Sequence, residues 1–319
     1  MATTVNAAMV PADTPQVSVV MSVYNGADTL EASMESVLSQ KGVEFEFVVV
    51  NDGSTDATGS MLDAYAARDK RLHVIHQANS GLTRALIRGC AAVRGEFIAR
   101  QDCGDTSLPG RLAAQHALLK RDSGVVLTCV SNRVVGPNGE FLFEVVRAGR
   151  ALSDGLAQLD VSKLKGPPHH GSTMFARAAY ERVGGYRPSW VVAQDIDLWL
   201  RLAEVGDCVG LDVIGYQSQL ELAGISSRRR EEQLRLCGLA IECAVQRRRG
   251  ESDANIIKGY VAPPIQPKQG VDSSEQARFF YFVGACLRET DPVRAKLYFI
   301  KALRLNPLHW RAMLRAVGW

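Results

Sequence analysis

The hydrophobic positions of the chain alternate between short, nearly unbroken apolar runs and longer stretches with helical spacing. Val17-Ser-Val-Val-Met-Ser-Val23 is such a run, and runs of this kind fit strands buried on both faces of a parallel sheet. Leu30, Met34, Val37 and Leu38 follow at helical spacing. The unit then repeats. Phe45–Val50 reads as a second strand, Met61, Leu62 and Tyr65 as one helix face, Leu72–His76 as a third strand and Leu82–Val93 as another helix. Phe97-Ile98-Ala99 climbs out of Gly95 and ends in Asp102 and Asp105. Strand and helix alternating through short loops predict an α/β, doubly wound, mostly parallel sheet with right-handed crossovers.

In such sheets ligands bind at the carboxyl ends of the strands. Tyr24, Asp52, Asp102 and Asp105 each follow an apolar run, so the topology predicts that they gather on one edge. Carboxylates placed there suit a divalent cation and, through it, an anionic ligand. A polar turn is the alternative, since Asp and Gly are ordinary turn residues. No GxGxxG follows the first strand and no GxxxxGK[ST] occurs anywhere, which argues against dinucleotide-dependent dehydrogenases and P-loop enzymes.

Further along, Asp195 opens a segment whose Ile196, Trp199, Leu200 and Ala203 share a helical face. A carboxylate there also suits the first turn of a helix. Asp197 falls two positions on, turned to the other side. His169 and His170 follow Pro167-Pro168, which predicts a solvent-exposed or acceptor-contacting pair, with Arg177 and Arg182 nearby. Cys103, between carboxylates, reads as a small filler whose thiol they would keep protonated.

Past Ser227 the character changes. Arg228–Arg230 and Arg247–Arg249 bracket a helical stretch through Leu234, Leu236, Cys237, Leu239 and Ile241. Arginines in threes suit acidic lipid headgroups or polyanionic glycans, or simply a solvated face. Val261–Gln269, with three prolines, reads as a linker, and Ala295, Phe299, Ala302 and Pro307 have the spacing of the second half of a tetratricopeptide unit. The division expected is a loose tail over 1–14, an α/β domain over 15–227 and a basic helical extension over 228–319.

At 319 residues with 46% hydrophobic and 22% charged positions, the composition is that of a globular chain. The net charge of +3 gives no reason to expect nucleic acid as a partner. That charge is uneven: 17 basic and 9 acidic residues fall in 228–319. Seven scattered cysteines, without a CxxC pair or a leader before them, predict a reducing cytoplasm. The longest apolar runs are too short to span a bilayer, so membrane contact would be peripheral, at the inner face and through the basic C-terminal region.

Seven segments, in order, resemble the family 2 inverting glycosyltransferases: VSVVMSVYN (17–25), VVVNDGSTD (48–56), NSGLTRAL (79–86), RGEFIARQDCGD (94–105), SLPGRLAAQ (107–115), HGSTMFARAAYERVGGY (170–186) and AQDIDLWLRLAEVGD (193–207). The resemblance implies a GT-A-type fold over 17–227 and transfer of a sugar, with inversion, from a nucleotide-diphosphate sugar to a glycan or lipid-linked acceptor in surface polysaccharide or glycan assembly. UDP is the nucleotide it favours. Ser22 and Tyr24 would line the nucleotide pocket, Asp52 would accept from the uracil imide, and Asp102 would hold the ribose or the metal's water shell. Asp105 would ligate Mg²⁺ or Mn²⁺, and Asp195 would be the base. The chain departs from the family at Gly104, where a carboxylate is usual, at Ile87 and Gln194, and at Gln217 and Gln219, which replace Arg and His. Those departures leave a catalytically weak or inactive binding protein as the alternative. A sugar-nucleotide nucleotidyltransferase would need a Gly-rich basic loop after the first strand, and Tyr24–Asp28 is not one.

Overall fold

The computed structural model of the chain describes residues 14–222, 230–260 and 272–316. The tail before Thr14, the first two arginines of the 228–230 triplet and the proline-bearing linker lie outside the described residues.

Four strands, β1 (Val17–Val23), β2 (Phe45–Asp52), β3 (Leu72–Gln77) and β4 (Phe97–Arg100), run parallel in the order β3-β2-β1-β4. Helices α1 (Ala27–Leu38), α2 (Thr58–Ala66) and α3 (Leu82–Ala91) connect them. Each strand serves two layers because successive side chains point to opposite faces. Val17, Val19 and Met21 pack with Leu30, Met34 and Leu62, whereas Val20 and Val48 pack with Leu86 and Cys90 on the other side. That is why the runs are apolar throughout rather than alternating.

The rest of the sheet is mixed. The order continues β4-β8-β6-β9-β5, with β7 on β6; these are β5 (Thr106–Ser107), β6 (Val125–Val135), β7 (Phe141–Val145), β8 (Thr173–Ala176) and β9 (Asp207–Gln219). β8 is antiparallel to β4 and to β6, while β6 and β9 are parallel. The strand beside β4 thus arrives late in the chain and from the opposite end, with no crossover helix between them. Helices α4 (Arg111–Arg121), α5 (Ala151–Ala157), α6 (Arg177–Arg182) and α7 (Gln194–Leu202) cover this half.

The helices after 228 share cores with the α/β body. Helix α8 (Arg230–Arg248) buries Leu236, Ala240, Ile241 and Ala244 against Trp190, Val192 and Leu200 of the α7 region. Two arginines of the second triplet are engaged here. Arg247 pairs with Glu204 at 2.7 Å and with Asp253 at 2.5 Å, and Arg248 donates to the Ala157 carbonyl at 3.2 Å. A short helix, α9 (Ala254–Gly259), follows. Helices α10 (Ser273–Leu287) and α11 (Pro292–Leu305) form a hairpin that docks Val283, Leu287 and Phe299 onto Val134 and Leu142. Tyr298 seals that contact by donating to Glu140 Oε1 at 2.5 Å while accepting from Asn138 at 2.6 Å. Ala295, Phe299 and Ala302 are buried, as their spacing requires. The chain ends with α12 (Trp310–Ala316).

Burial of α8 carries a stability prediction. Leu236 is fully buried and Leu234 is 53% exposed on the same helix. Leu236→Ala should cost about 2–5 kcal/mol through lost burial and a residual cavity, while Leu234→Ala should stay within about 0.5 kcal/mol of wild type. Denaturant melts of the two variants check this, and equal small effects would show that α8 is not part of the core.

Candidate active site

The carboxyl ends of β1, β2 and β4 lie side by side, because Val23 pairs with Asn51 and Val20 with Arg100. Tyr24, Asp52 and Asp102 therefore come to one edge. Ser22 is half-buried near the end of β1, and Tyr24, just past the strand, is 43% exposed. Asp52 is nearly fully buried, and its carboxylate organises the loop after β3. Oδ1 accepts from Gln77 Nε2 at 2.7 Å, Ser80 N at 2.9 Å and Ser80 Oγ at 3.1 Å, and Oδ2 accepts from Gly81 N at 2.9 Å. Oδ2 thus keeps more lone-pair capacity than Oδ1.

Asp102 and Asp105 sit in the turn between β4 and β5, and a buried polar frame holds them. Tyr216 of β9 places its hydroxyl between them: it accepts from Asp102 N at 3.1 Å and donates to Asp105 Oδ2 at 2.9 Å. The Gln219 N–H donates to Asp105 Oδ1 at 3.2 Å. Beneath the turn, buried Arg100 donates to Asp102 Oδ1 at 2.6 Å and to the Val20 carbonyl. Arg111, also buried, donates to the Arg100 carbonyl at 2.6 Å and lies 4.9 Å from the Tyr216 ring centroid. Its own burial pushes its pKa down to about 10.

These surroundings set the two acids apart. Burial works to raise both. At Asp102 burial is the largest influence, but the positive charges of Arg100 and, behind it, His170, His169 and Arg111 together overcome it and hold the carboxyl below its ordinary range. Burial pushes Asp105 up to about 7, with the Asp102 charge adding to it and His169, Tyr216 and Gln219 opposing.

The structure brings in a residue that the sequence placed elsewhere. His169 is only partly exposed and stacks on Tyr216 with ring centroids 5.4 Å apart. Its Nδ1 lies 3.5 Å from Asp105 Oδ2 and 3.7 Å from Asp102 Oδ2, and all three residues offer ligand atoms within 4.8 Å of one another. In the tautomer whose Nδ1 accepts the Gly171 N–H at 3.1 Å, that nitrogen carries the lone pair that a ligand must have. Two carboxylate oxygens and an imidazole nitrogen fit a divalent cation. His170 is not a companion surface residue. It is buried against Trp199, hydrogen-bonded to Tyr186 Oη at 2.6 Å, and pushed down to about 3 by burial, with Arg100 adding to it.

Gly104 has φ +96°, a backbone region that favours glycine. A Cβ there would come within 3.3 Å of the Glu221 carboxylate, so a carboxylate reaches over this point from the end of β9. Cys103 is pushed up to about 11, chiefly by burial, with the charges of Glu221, Asp105 and Asp102 adding to it.

Asp195 lies in the first turn of α7, preceded by Ala193 in the left-handed conformation at φ +54°. Its Oδ1 accepts the Ile196 N–H at 2.9 Å. Burial raises its pKa against that bond, and Asp102 and His169 are near enough for their charges to act on it. Asp197 does not simply turn away to the far side of the helix. It is almost fully buried between Arg201 Nη2 at 2.5 Å and Arg187 Nη1 at 3.3 Å.

The family model described as Glycosyl transferase family 2 matches residues 18–183. The chain is 35% identical over 198 residues to EpsE of Bacillus subtilis (strain 168), a protein named as a glycosyltransferase, covering 60% of this chain and 68% of that one. It is 25% identical over 206 residues to the chondroitin synthase of Pasteurella multocida (strain Pm70), covering 65% of this chain but 21% of the synthase. Two solved structures share the fold. S. aureus TarS 1–349 in complex with UDP gives a TM-score of 0.54 at 16% identity, over 95% of this chain and 88% of that chain. The mannosyltransferase PcManGT from Pyrobaculum calidifontis, in complex with GDP-Man and Mn²⁺, gives 0.57 at 20% identity, over 97% and 80%.

The bridge made by Tyr216 can be weighed directly. Tyr216→Phe leaves the Asp102 N–H without its acceptor and Asp105 Oδ2 without its donor in a buried setting. The expected loss of stability is about 1–3 kcal/mol. Thermal and denaturant unfolding measure it, and an unchanged midpoint would show that the hydroxyl holds nothing in place.

Proposed function

Since this chain belongs to glycosyl transferase family 2 and is a glycosyltransferase acting on a nucleotide sugar, we propose that it inverts the anomeric centre of a UDP-linked sugar, with Asp195 as base. The observation that carries the reading is the placement of Asp195. A half-buried carboxylate in the first turn of a packed helix lies within electrostatic reach of Asp102 and His169, two members of the cation-competent set that Asp105 completes.

In this reading Ser22 and Tyr24 line the nucleotide pocket, and Asp52 offers Oδ2 to the imide N–H of uracil. Asp102, Asp105 and His169 would hold the divalent cation, which neutralises the departing diphosphate as a Lewis acid when bound. Asp195 takes the proton of the acceptor hydroxyl as that oxygen attacks the anomeric carbon, opposite the leaving group. Packing of Leu198, Trp199 and Leu200 holds the helix still, which serves positioning, the larger part of such a rate gain. Gln194 has no basic site, and Asp197 is committed to two arginines. The acceptor is a glycan or lipid-linked sugar in surface polysaccharide assembly, in keeping with the relatives' names, and the enzyme works peripherally at the inner membrane face. The α/β body over 15–227 supplies donor chemistry, and the helices after 228 steady α7 and bring the acceptor near.

Asp195→Asn should cut turnover by about 10²–10⁴ while UDP affinity stays nearly unchanged. Asp197→Asn should act through stability, lowering the melting temperature together with activity. NMR of the product should show the anomeric configuration opposite to that of the donor. A retained configuration, or an active Asp195→Asn enzyme, would sink the mechanism.

A further inference from the structure

We propose that the last helical unit docks the protein on an anionic phospholipid bilayer, with α12 lying in the headgroup region. The inference deepens the peripheral-membrane reading above by naming the surface and its lipid, and it does not depend on the transfer chemistry.

Helix α12 is amphipathic in the reverse sense for a helix facing water. Its small residues point inward: Ala312 is fully buried and Ala316 packs against the hairpin core. Its large apolar residues point outward, with Trp310 60%, Met313 50% and Leu314 46% exposed, and Leu308 just before them 89% exposed. Positions 310, 313 and 314 form a single stripe at helical spacing. Arg311 and Arg315 flank that stripe one step round the helix, and the Arg311 guanidinium lies 5.2 Å from the Trp310 ring centroid. An outward stripe of Trp, Met and Leu beside arginines is the composition of a helix lying at a membrane interface.

Charge selects the kind of bilayer. From Pro292 to Trp319 the chain has six Arg or Lys residues and no Asp or Glu. Between α10 and α12 runs a groove of about 470 Å³, lined by Tyr281, Arg288, Trp310, Arg311, Leu314 and Arg315. Three guanidiniums beside apolar walls match a phosphate with acyl chains next to it. Arg288 also pairs with exposed Glu289 at 3.2 Å, so Arg311 and Arg315 contribute more to the positive face. A protein partner made to cover this stripe would have to match single-sign charge and scattered apolar tips together, which an anionic lipid surface does without special shape. No described helix is long and apolar enough to cross a membrane, so the contact is one of lying on the surface.

The test is co-sedimentation of the full chain with phosphatidylcholine vesicles, either pure or containing roughly one-third phosphatidylglycerol. Neither donor nor acceptor is present, so the result is independent of the transfer reading. The chain should bind the anionic vesicles, release as salt rises, and bind the neutral ones weakly. Trp310→Ala with Leu314→Ala, and separately Arg311→Glu with Arg315→Glu, should each lower partitioning at least about tenfold. Melting temperatures should hold, because these side chains are largely exposed. Absence of binding, equal binding to both vesicles, or variants that bind like wild type would overturn the proposal. So would light scattering that shows a dimer which the Trp310→Ala and Leu314→Ala changes dissociate, since the stripe would then be an interface between copies.

Discussion

Two carboxylates brought to one point repel each other, and the fold has to hold them together regardless. Tyr216 does this with one hydroxyl that accepts from the backbone of Asp102 and donates to the side chain of Asp105. The ring supporting that hydroxyl lies between His169 on one side and the guanidinium of Arg111 on the other. Arg100 completes the frame from below by neutralising Asp102 alone. The acids therefore differ: positive neighbours favour the charged form of Asp102, while burial pushes the Asp105 carboxyl up to about 7. Strand β9 contributes Tyr216 and Gln219, and its pairing with β6 and β5 makes this frame part of the sheet.

Asp195 is held by different means. It stands on α7, and α7 is packed from outside by α8. Arginines knit the same region together: Arg201 and Arg187 on Asp197, then Arg187 and Arg247 on Asp253. Helices that follow the α/β body in sequence thus form the back wall of the helix that carries Asp195. A boundary drawn at 227 from composition separates residues that share one core.

The legible part of the fold was the parallel half. Its strands are buried on both faces, so their apolar runs are continuous and hard to mistake, and the ends of those runs pointed to Tyr24, Asp52, Asp102 and Asp105. The mixed half was not legible in the same way. β9 alternates burial and carries Gly210 and Gly215, with register shifts against β6, so no clean period marks it. His169 was read as a surface residue because its partners lie more than sixty positions earlier, and only the β4–β8 pairing brings its loop over them. A signal was available in the chain, since a His next to a strand that must sit beside Asp102 is a ligand candidate, but that neighbour relation required the topology. The arginines at 247 and 248 have partners that a charge run does not announce: Glu204 and the Ala157 carbonyl are distant in sequence, and Asp253 lies across the end of the helix.

Gly104 has a consequence for where charge can be placed at this turn. The family's usual acid at this point would need a left-handed backbone at φ +96°, and its first side-chain carbon would already crowd the Glu221 carboxylate at 3.3 Å. Placing an acid here would therefore add strain and like-charge repulsion together. The carboxylate that reaches over this turn comes instead from a residue 117 positions further along the chain, so the charge at this point is set by the path of β9 rather than by the turn itself.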